Sequence, residues 1–325
     1  MRTHKQNWEI SEKTQTLSVA ICVITYQRPE SLRRLLEGIN RLTFTKTQPL
    51  KLEVIVVDND SAGIARQVWE GVKPSFKYKS VFKIEPQRGI SYARNRAIAC
   101  VPPDTDFVAF IDDDEVPEVS WLDELLTTQS KYDADVVSGV VLPYFPSEIV
   151  ATWIVKGRFF ERPRYPTGYQ RKTSATNNVL VRGAIFRSMD RPFDERFALT
   201  GGEDGHFFRR VHQAGYKIIW SNEAVVYEWI PESRTTIKWL LQRAYRTYGT
   251  FSAIEQELNG SIRTRFIAAI KASGRIIIGI SLILPSLILG KHILVKALLN
   301  IFGGVGRFCG LMGMTYQEYK IIHKS

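Results

Sequence analysis

Carboxylate side chains follow two of the apolar runs in the sequence, where they could bind a cation or the hydroxyl groups of a ligand. Asp58 comes directly after the run LEVIVV, and three consecutive aspartates at residues 112–114 come directly after FVAFI. Adjacent carboxylates repel one another unless a cation neutralises them. Mg²⁺ and Mn²⁺ take carboxylate oxygens and commonly keep a substrate diphosphate as a further ligand. The aspartate run therefore predicts a divalent-metal site, and the alternative is a turn in which aspartates only end a strand.

The elements that would position these carboxylates are strands of an α/β sheet. The runs at residues 17–25, 52–57 and 107–111 are apolar and rich in β-branched residues, as is typical of buried parallel strands. Between the first two, Leu32, Leu35, Leu36 and Ile39 recur at helical spacing after Pro29, which predicts a βαβ unit. Because ligands bind at the carboxyl edge of such sheets, we expect the acidic groups to meet there.

Weaker patterns predict further elements downstream. Residues 90–101 indicate a helix, and residues 136–141, 179–181, 218–220 and 224–227 indicate short separate strands. Ser120 with Asp123 three residues later resembles a capping box at a helix start. Residues 235–257 indicate one long helix.

Composition excludes several classes of protein. The chain has 325 residues, of which 44% are hydrophobic and 24% charged, as in globular proteins of about two domains. Its three cysteines are too few and too scattered for a disulfide framework or a zinc cluster. Residues 1–16 are polar and predict no secretory signal, so a reducing cytoplasm is expected.

The positive charge is concentrated in the last third of the chain. The net charge is +11, and residues 231–325 hold 13 Lys and Arg against 4 Asp and Glu, or +9. The same region carries an uncharged run at residues 276–290, which as a helix would reach about 22 Å, short of a bilayer core of about 30 Å. A second run at residues 293–313 contains Lys296, Arg307 and five glycines. We expect a hairpin dipping into one leaflet or an interfacial helix pair; the alternative is a helical subdomain packed on the first domain. Basic charge beside aliphatic runs favours an anionic membrane surface over nucleic acid.

A phosphatase of the haloacid dehalogenase type is one alternative for the aspartate run. Asp112, Asp114 and Val116 fit the D-x-D-x-[TV] pattern, in which the first aspartate is a phosphoryl nucleophile. That motif normally opens its domain, however, whereas more than 100 residues of organised α/β sequence precede it in this chain.

The order of several motifs resembles family 2 glycosyltransferases with the GT-A fold. These motifs are VITYQRP at residues 23–29, VVDNDS at 56–61, RGISYARN at 88–95, FIDDD at 110–114 and GGED at 201–204. Within that family, DDDEVP and GGEDGHFF look most like bacterial exopolysaccharide glucosyltransferases of the succinoglycan type. The motifs cover roughly residues 17–230, and the resemblance implies a GT-A domain with a mixed, mostly parallel sheet there. Composition predicts a polar extension at residues 1–16 and a basic, apolar, membrane-associated helical region at residues 231–325.

The resemblance also implies a role for individual residues on the donor side. Thr25, Asp58 and Asn59 would hold the uracil and ribose of a nucleotide sugar, with Arg94 near the nucleotide. In the aspartate run, Asp112 and Asp113 would reach ribose or sugar hydroxyls.

The same resemblance implies the metal ligand and the base. Asp114, with Asp112 beside it, would coordinate Mn²⁺ or Mg²⁺ on the diphosphate, where a metal stabilises the leaving group. Asp204 would be the catalytic base, with Glu203 as the neighbouring alternative, because an attacking hydroxyl must lose its proton to a positioned carboxylate. Without that role, both residues would serve as a cap at a helix start.

One departure from the family pattern concerns the metal site. Many GT-A enzymes have a histidine ligand after the base; the comparable segment here ends in Glu228, which could replace it.

The resemblance and the basic, apolar tail together predict the partners. We expect a UDP-hexose donor, with glucose as the first candidate sugar, and an oligosaccharide acceptor on polyprenyl diphosphate. The expected location is the cytoplasmic face of the bacterial plasma membrane, with no nucleic-acid partner. The alternative function is a non-catalytic protein that binds nucleotide sugar or acts as a membrane scaffold.

Overall fold

The computed structural model describes residues 16–47, 50–146 and 150–314. The predicted extension at residues 1–16 lies outside these ranges except for Thr16. The strands are β1 (Leu17–Thr25), β2 (Leu50–Asp58), β3 (Lys79–Ile84), β4 (Phe107–Ile111), β5 (Glu115–Pro117), β6 (Val136–Tyr144), β7 (Gln170–Arg171), β8 (Asn178–Arg182) and β9 (Ile218–Trp229). The helices are α1 (Pro29–Asn40), α2 (Arg66–Val72), α3 (Ile90–Ala99), α4 (Trp121–Tyr132), α5 (Thr152–Gly157), α6 (Gly183–Arg187), α7 (Glu203–Gln213), α8 (Ile237–Asn259), α9 (Ile262–Leu289) and α10 (Lys291–Leu311).

One mixed sheet runs through the α/β part of the chain in the order β3-β2-β1-β4-β8-β6-β9-β5, with β7 paired to β9. The pairs β1–β2, β1–β4, β2–β3 and β6–β9 are parallel, whereas β8 is antiparallel to both β4 and β6. Thr25 at the end of β1 is in register with Asp58 at the end of β2. The polar residues that end the strands therefore share one edge of the sheet.

Helices cover both faces of this sheet, which explains the unbroken apolar runs at residues 19–24 in β1, 54–57 in β2 and 107–111 in β4. On one face, Leu32 and Leu36 of α1 and Leu125 of α4 pack in a common core with the sheet. On the other face, Ala93 of α3 and Phe207 of α7 pack with the strands. Strands covered on both faces by helices are near-continuous apolar runs, because side chains on both faces are buried.

The strands predicted at residues 218–220 and 224–227 are a single strand, β9. It pairs with β6 along its length, across an irregularity between Ser138 and Val140. The polar residue Ser221 within it is fully buried and accepts a hydrogen bond from Thr128 Oγ1 at 2.8 Å. A polar residue with a tertiary partner therefore does not interrupt the strand, although the sequence pattern placed a break there.

The capping box predicted at Ser120 was wrong. The Ser120 side chain makes no capping hydrogen bond at the start of α4. The carboxylate of Asp123 instead accepts backbone N–H bonds from Thr45, Lys46 and Thr47 at 2.9 to 3.0 Å. Asp123 is thus used to fix the loop after α1, a contact with residues more than 70 positions away that a local pattern does not reveal.

The C-terminal helices are longer than the apolar runs that predicted them. The helix α9 has 28 residues and continues through Pro285. Both α9 and α10 are long and apolar enough to cross a membrane by length and composition. In the structure, α10 packs against α9 on one side and against α8 on the other. The region is therefore a three-helix layer attached to the rest of the chain through α8 and through the contact of α10 with α5.

Candidate active site

A cavity of about 500 Å³ lies at the carboxyl edge of the sheet, where β1, β2 and β4 end, and is closed on other sides by α7 and α8. It collects most of the residues that sequence analysis selected. Its lining includes Thr25, Asn59, Arg94, Asp112, Asp113, Asp114, Glu203 and Asp204. Segments separated by up to about 180 residues in the chain are thus brought to one site.

Asp58 and Asn59 fix the loops around this cavity. Asp58 is fully buried, and its two carboxylate oxygens accept the backbone N–H groups of Asp60 at 3.0 Å and Ala65 at 3.1 Å. Asn59 accepts the N–H of Gly89 at 2.8 Å and donates to two carbonyls of the loop after β3. Asp58 lies behind the cavity wall while Asn59 is part of it. Contact of either side chain with a nucleotide stays a prediction.

Asp113 is held by the first strand and the residues that follow it. Its Oδ2 accepts a hydrogen bond from Thr25 Oγ1 at 2.8 Å, and its Oδ1 lies 3.2 Å from Arg28 Nη1. The same guanidinium nitrogen lies 3.1 Å from Oδ2 of Asp114. Arg28 therefore neutralises two carboxylates of the aspartate run at once.

A second arginine lies between Asp114 and Glu228. Arg234 Nη1 is 2.9 Å from Asp114 Oδ2 and 3.4 Å from Glu228 Oε1, and Glu228 also accepts from Arg162 Nη2 at 2.6 Å. Burial acts to raise the pKa of Asp114, but the guanidiniums of Arg234 and Arg28 outweigh it and hold the pKa below its usual value. Asp114 and Glu228 thus form a pair of carboxylates that share one cation.

These residues have the donor chemistry that Mn²⁺ or Mg²⁺ requires. Asp114 and Glu228 already converge on one positive group. Replacement of the histidine ligand by Glu228 stays a prediction. The Asp112 carboxylate, 37% exposed, lies in the same cavity. Burial, together with the charges of Asp114 and Asp113 and against that of Arg94, raises the pKa of Asp112 to about 6. A carboxylate whose charged form is disfavoured gains from an added cation, so the set fits a divalent metal.

Glu203 and Asp204, the two candidate bases, have different surroundings. Glu203 is buried, and its Oε1 accepts a hydrogen bond from Nη1 of Arg94, which is 3% exposed. Arg94 Nη2 also lies 3.4 Å from Asp112 Oδ1. Asp204 is the second residue of α7, lines the cavity and accepts the N–H of Gly205 at 2.6 Å. Because the charge of Glu203 is paired with a buried arginine, Asp204 is the better placed of the two to accept a proton.

Gly202 permits the close approach of α8 to the start of α7. Its φ of +98° is in the left-handed region, and a Cβ atom there would overlap the side chain of Thr250 on α8. A larger residue would be strained by its backbone and would displace α8.

Sequence analysis did not identify the contribution of α8 to the site. Its cavity-lining residues are Trp239, Arg243, Arg246, Thr247, Thr250, Phe251 and Ile254. They recur three or four positions apart and so share one face of the helix, which is the signal that could have found them. The domain boundary predicted between residues 230 and 231 passes through the site, because the cavity has lining residues on both sides of it. The boundary itself stays a prediction.

Five aromatic residues, at positions 153, 159, 160, 165 and 169, lie in the segment between β6 and β7 and are not among the residues that line the cavity. Phe160 stacks on Trp239 with ring centroids 6.1 Å apart, and Tyr165 stacks on Tyr169 at 4.5 Å. Phe160 and Trp239 belong to a core cluster between α5, α8 and α10. Phe160 therefore packs behind Trp239, which lines the cavity.

A separate cluster of titratable groups joins α7 to α8. Candidate ligand atoms of Asp194, His206 and Glu257 lie within 4.8 Å of one another. Arg196 bonds to both carboxylates, and burial lowers the pKa of His206. The two carboxylates therefore share one guanidinium, and because the cluster lies outside the cavity, we assign it a structural role.

The architecture is that of glycosyltransferases with the GT-A fold. The mannosyltransferase PcManGT of Pyrobaculum calidifontis, solved in complex with GDP-Man and Mn²⁺, superposes with a TM-score of 0.61 over 95% of this chain and 91% of its own, at 17% sequence identity. This likeness confirms the predicted fold class.

The family follows from the sequence. Residues 20–196 match the model of the family "Glycosyl transferase family 2". The chain is 32% identical over 309 residues to the succinoglycan biosynthesis protein ExoM of Rhizobium meliloti (strain 1021), covering 94% of this chain and 96% of that protein. It is 27% identical over 248 residues to a glucosyl-dolichyl phosphate glucuronosyltransferase of Haloferax volcanii, covering 70% and 74%. The chain therefore belongs to glycosyltransferase family 2, which favours sugar transfer over the phosphatase alternative.

Proposed function

We propose that this protein is an inverting, metal-dependent hexosyltransferase. It moves glucose from a UDP-sugar to an oligosaccharide on polyprenyl diphosphate, in the synthesis of a bacterial exopolysaccharide or cell-surface polysaccharide. The observation that carries the proposal is one cavity that joins the aspartate run after β4 to Asp204 at the start of α7. Donor binding and proton removal need separate acidic groups around one space, and this cavity has both.

On the donor side, the loops fixed by Asp58 and Asn59 would receive the uracil and ribose, beside Thr25. Asp112 and Asp113 would accept hydrogen bonds from ribose or sugar hydroxyls, and Arg94 would lie near the nucleotide. A divalent cation held by Asp114, with Asp112 and Glu228 beside it, would supply positive charge to the departing diphosphate. Arg28 and Arg234 are placed to add hydrogen bonds to phosphate oxygens, since guanidiniums bind phosphates strongly.

On the acceptor side, Asp204 would take the proton of the attacking hydroxyl. A single displacement inverts the anomeric configuration, so the base and the leaving group must lie on opposite faces of the sugar. A base on α7, away from the strand ends that carry the donor site, suits this requirement.

The acceptor and the location rest on the relatives and on the tail. One relative takes part in succinoglycan biosynthesis, and another is described as acting on glucosyl-dolichyl phosphate. The basic, apolar helices at the C-terminus suit a lipid-linked acceptor at the cytoplasmic face of the membrane.

The donor is tested by thermal unfolding against UDP-glucose, other UDP-sugars and GDP-mannose, each with and without Mn²⁺. A ligand at 100 times its dissociation constant adds about 2.7 kcal/mol of stability, which raises the melting temperature measurably. We expect UDP-glucose to stabilise the protein only with metal, and Asp114→Ala to abolish the shift. A shift by GDP-mannose alone would replace the proposed donor, and no shift with any nucleotide sugar would contradict the donor site.

The base is tested with Asp204→Asn. We expect transfer to fall by a factor of about 10² to 10⁴, the usual contribution of a general base, while donor affinity is kept. Asp190→Asn, an exposed aspartate outside the cavity, serves as the control and should leave both unchanged. Transfer at the wild-type rate in Asp204→Asn would overturn the assignment, and wild-type donor binding without transfer to any lipid-linked acceptor would favour the non-catalytic alternative.

A further inference from the structure

The helix α9 contacts α10 through a narrow seam of small residues and leaves most of its apolar side chains uncovered. The seam consists of the buried residues Ala268, Ala272, Gly279 and Ser286. Around it lie exposed side chains that we call the outer face of α9. They are Ile262, Phe266, Ile270, Ile277, Ile278, Ile280, Leu284, Leu287, Ile288 and Leu289, each 52 to 90% exposed. Apolar surface of this extent on one helix marks an interaction site.

The partner helix α10 is fastened along α8. Val295 near its start packs with Trp239 and Leu240 near the start of α8. Near its end, Gly310 lies so close to α8 that a Cβ atom would overlap the backbone of Gly249, and Gln256 donates to the Gly310 carbonyl at 3.1 Å. The two helices therefore run beside each other for most of their length.

The packing of α10 along α8 limits the orientations that these helices can take in a bilayer. At 1.5 Å per residue, the 21 residues of α10 reach about 31 Å, the full thickness of the hydrocarbon core. If α10 crossed the bilayer, the stretch of α8 beside it would lie at hydrocarbon depth. That stretch carries Arg243 and Arg246 and forms one wall of the polar cavity. Charged groups at this depth are costly, so a crossing orientation conflicts with the contacts of α10.

Charge on the same segment indicates the chemistry of the partner. Residues 258–317 contain seven Lys and Arg and no Asp or Glu. Lys291, the first residue of α10, lies over the ring of Trp153 at 5.2 Å, which is the kind of pair that suits a membrane interface. A second copy of the chain would bring an equally basic surface and repel it, whereas an anionic lipid leaflet attracts it.

We propose that α9 lies in the plane of an anionic lipid leaflet, with its outer face inserted among the headgroups and upper acyl chains, and that neither α9 nor α10 crosses the bilayer. The proposal rests on the membrane location given under Proposed function and defines its geometry. Such a monotopic attachment keeps the cavity on the aqueous side, at a height set by α8 and α10.

Vesicle binding of the purified full chain tests the surface. We expect sedimentation with phosphatidylcholine vesicles that contain phosphatidylglycerol, weaker sedimentation with phosphatidylcholine alone, and release by added salt. The double variant Ile280→Glu, Leu287→Glu should lower partitioning by more than about tenfold, because it removes two inserted aliphatic side chains. The double variant Ile64→Glu, Val119→Glu, which adds the same charge at two exposed aliphatic residues outside α9 and α10, is the matched control and should bind like wild type.

Labelling of the two ends of α9 tests the orientation. Arg263→Cys and Lys291→Cys are placed in separate chains bound to closed vesicles and treated with a membrane-impermeant maleimide, and the labelled peptide is located by mass spectrometry. We expect both positions to react from outside without detergent. If either reacts only after detergent is added, the helix crosses the bilayer and the proposal is wrong. Equal vesicle binding by the wild type and the double variant, or a dimer in solution that the double variant dissociates, would also overturn it.

These outcomes are independent of sugar transfer. If no nucleotide sugar binds but vesicle binding and labelling behave as expected, the proposed function fails and the in-plane attachment stands. If the double variant no longer binds vesicles yet keeps the nucleotide-dependent thermal shift, it is folded, and the loss belongs to the outer face of α9.

Discussion

Arg28 and Arg234 donate to the same oxygen of Asp114, so a divalent cation that approaches this carboxylate meets two fixed positive charges. A diphosphate entering with the cation offers the guanidiniums other acceptors. At the scale of residues, we therefore expect the site to bind metal and nucleotide together in preference to the metal alone.

Arg234→Gln tests this property. We expect the affinity for Mn²⁺ without nucleotide to rise by on the order of tenfold, or about 1.4 kcal/mol, because one competing cation is removed. Free Mn²⁺ measured by electron paramagnetic resonance gives the affinity. Arg164→Gln, which removes an exposed arginine bonded to Asn222, is the control. Unchanged Mn²⁺ affinity in Arg234→Gln would show that Arg234 does not compete with the metal.

Asp112 predicts a pH dependence of donor binding. Its pKa of about 6 means that it is charged above pH 6 and protonated below. We expect affinity for the donor with metal to fall as the pH drops through about 6, and Asp112→Asn to be weak at every pH without this step. Isothermal titration at several pH values measures it.

Protonation of Asp112 cannot lower donor affinity by unfolding the protein. An unfolded aspartate has a pKa of about 3.9, so the folded state takes up a proton between about pH 6 and pH 4. Protonation of Asp112 in this window therefore favours the folded state. A binding step that coincides with a fall in melting temperature would contradict the assignment to Asp112.

Among the elements, the junction of α1 and α4 depends on Asp123. Burial acts to raise its pKa, but hydrogen bonds from the Thr47 hydroxyl and from three backbone N–H groups lower it overall. Asp123→Ala leaves those donors without a partner, and we expect it to lower the free energy of unfolding by about 2–3 kcal/mol at neutral pH. Urea denaturation measures the loss, with the exposed Asp104→Ala as control.

The lowered pKa of Asp123 also determines how its contribution to stability changes at low pH. Because its folded pKa lies below the unfolded one, its stabilisation is present above about pH 3.9 and is lost as the pH falls toward the folded pKa. Stability should therefore fall less steeply below about pH 4 in Asp123→Ala than in wild type. Parallel curves for the two proteins would contradict the lowered pKa.

The elements also show what local sequence can predict. The ends of β1 and β4 were predicted to the residue, because an apolar run followed by polar residues marks both a buried strand and its end. The continuity of β9 through Ser221 was missed, because a buried hydroxyl there depends on Thr128 in a distant helix. The helix α8 was predicted as a helix but not as a cavity wall, because its role also depends on distant parts of the chain. The spacing of Arg243 and Thr250 places them on one face of α8, but it does not indicate which part of the protein that face contacts.

At the scale of the whole molecule, the packing of α8 with α10 ties the C-terminal helices to the cavity. Gly310→Ala places a methyl group against the backbone of Gly249, and we expect it to cost about 1–3 kcal/mol and to weaken donor binding. Gly274→Ala, in α9 with open space around it, should instead stabilise by about 0.5–1 kcal/mol. Chemical denaturation and donor titration distinguish the two. Weaker stability with unchanged donor binding in Gly310→Ala would show that the helix contacts do not reach the site.

The position of α8 has a thermodynamic consequence. One face of this helix lines the cavity, and another supports the helices that we place on the leaflet. If contact with lipid shifts α8 and raises nucleotide affinity by some factor, the nucleotide must raise lipid affinity by the same factor, because the two equilibria share a closed cycle. In that case the protein would hold the membrane more tightly when loaded with donor and release it more readily when empty.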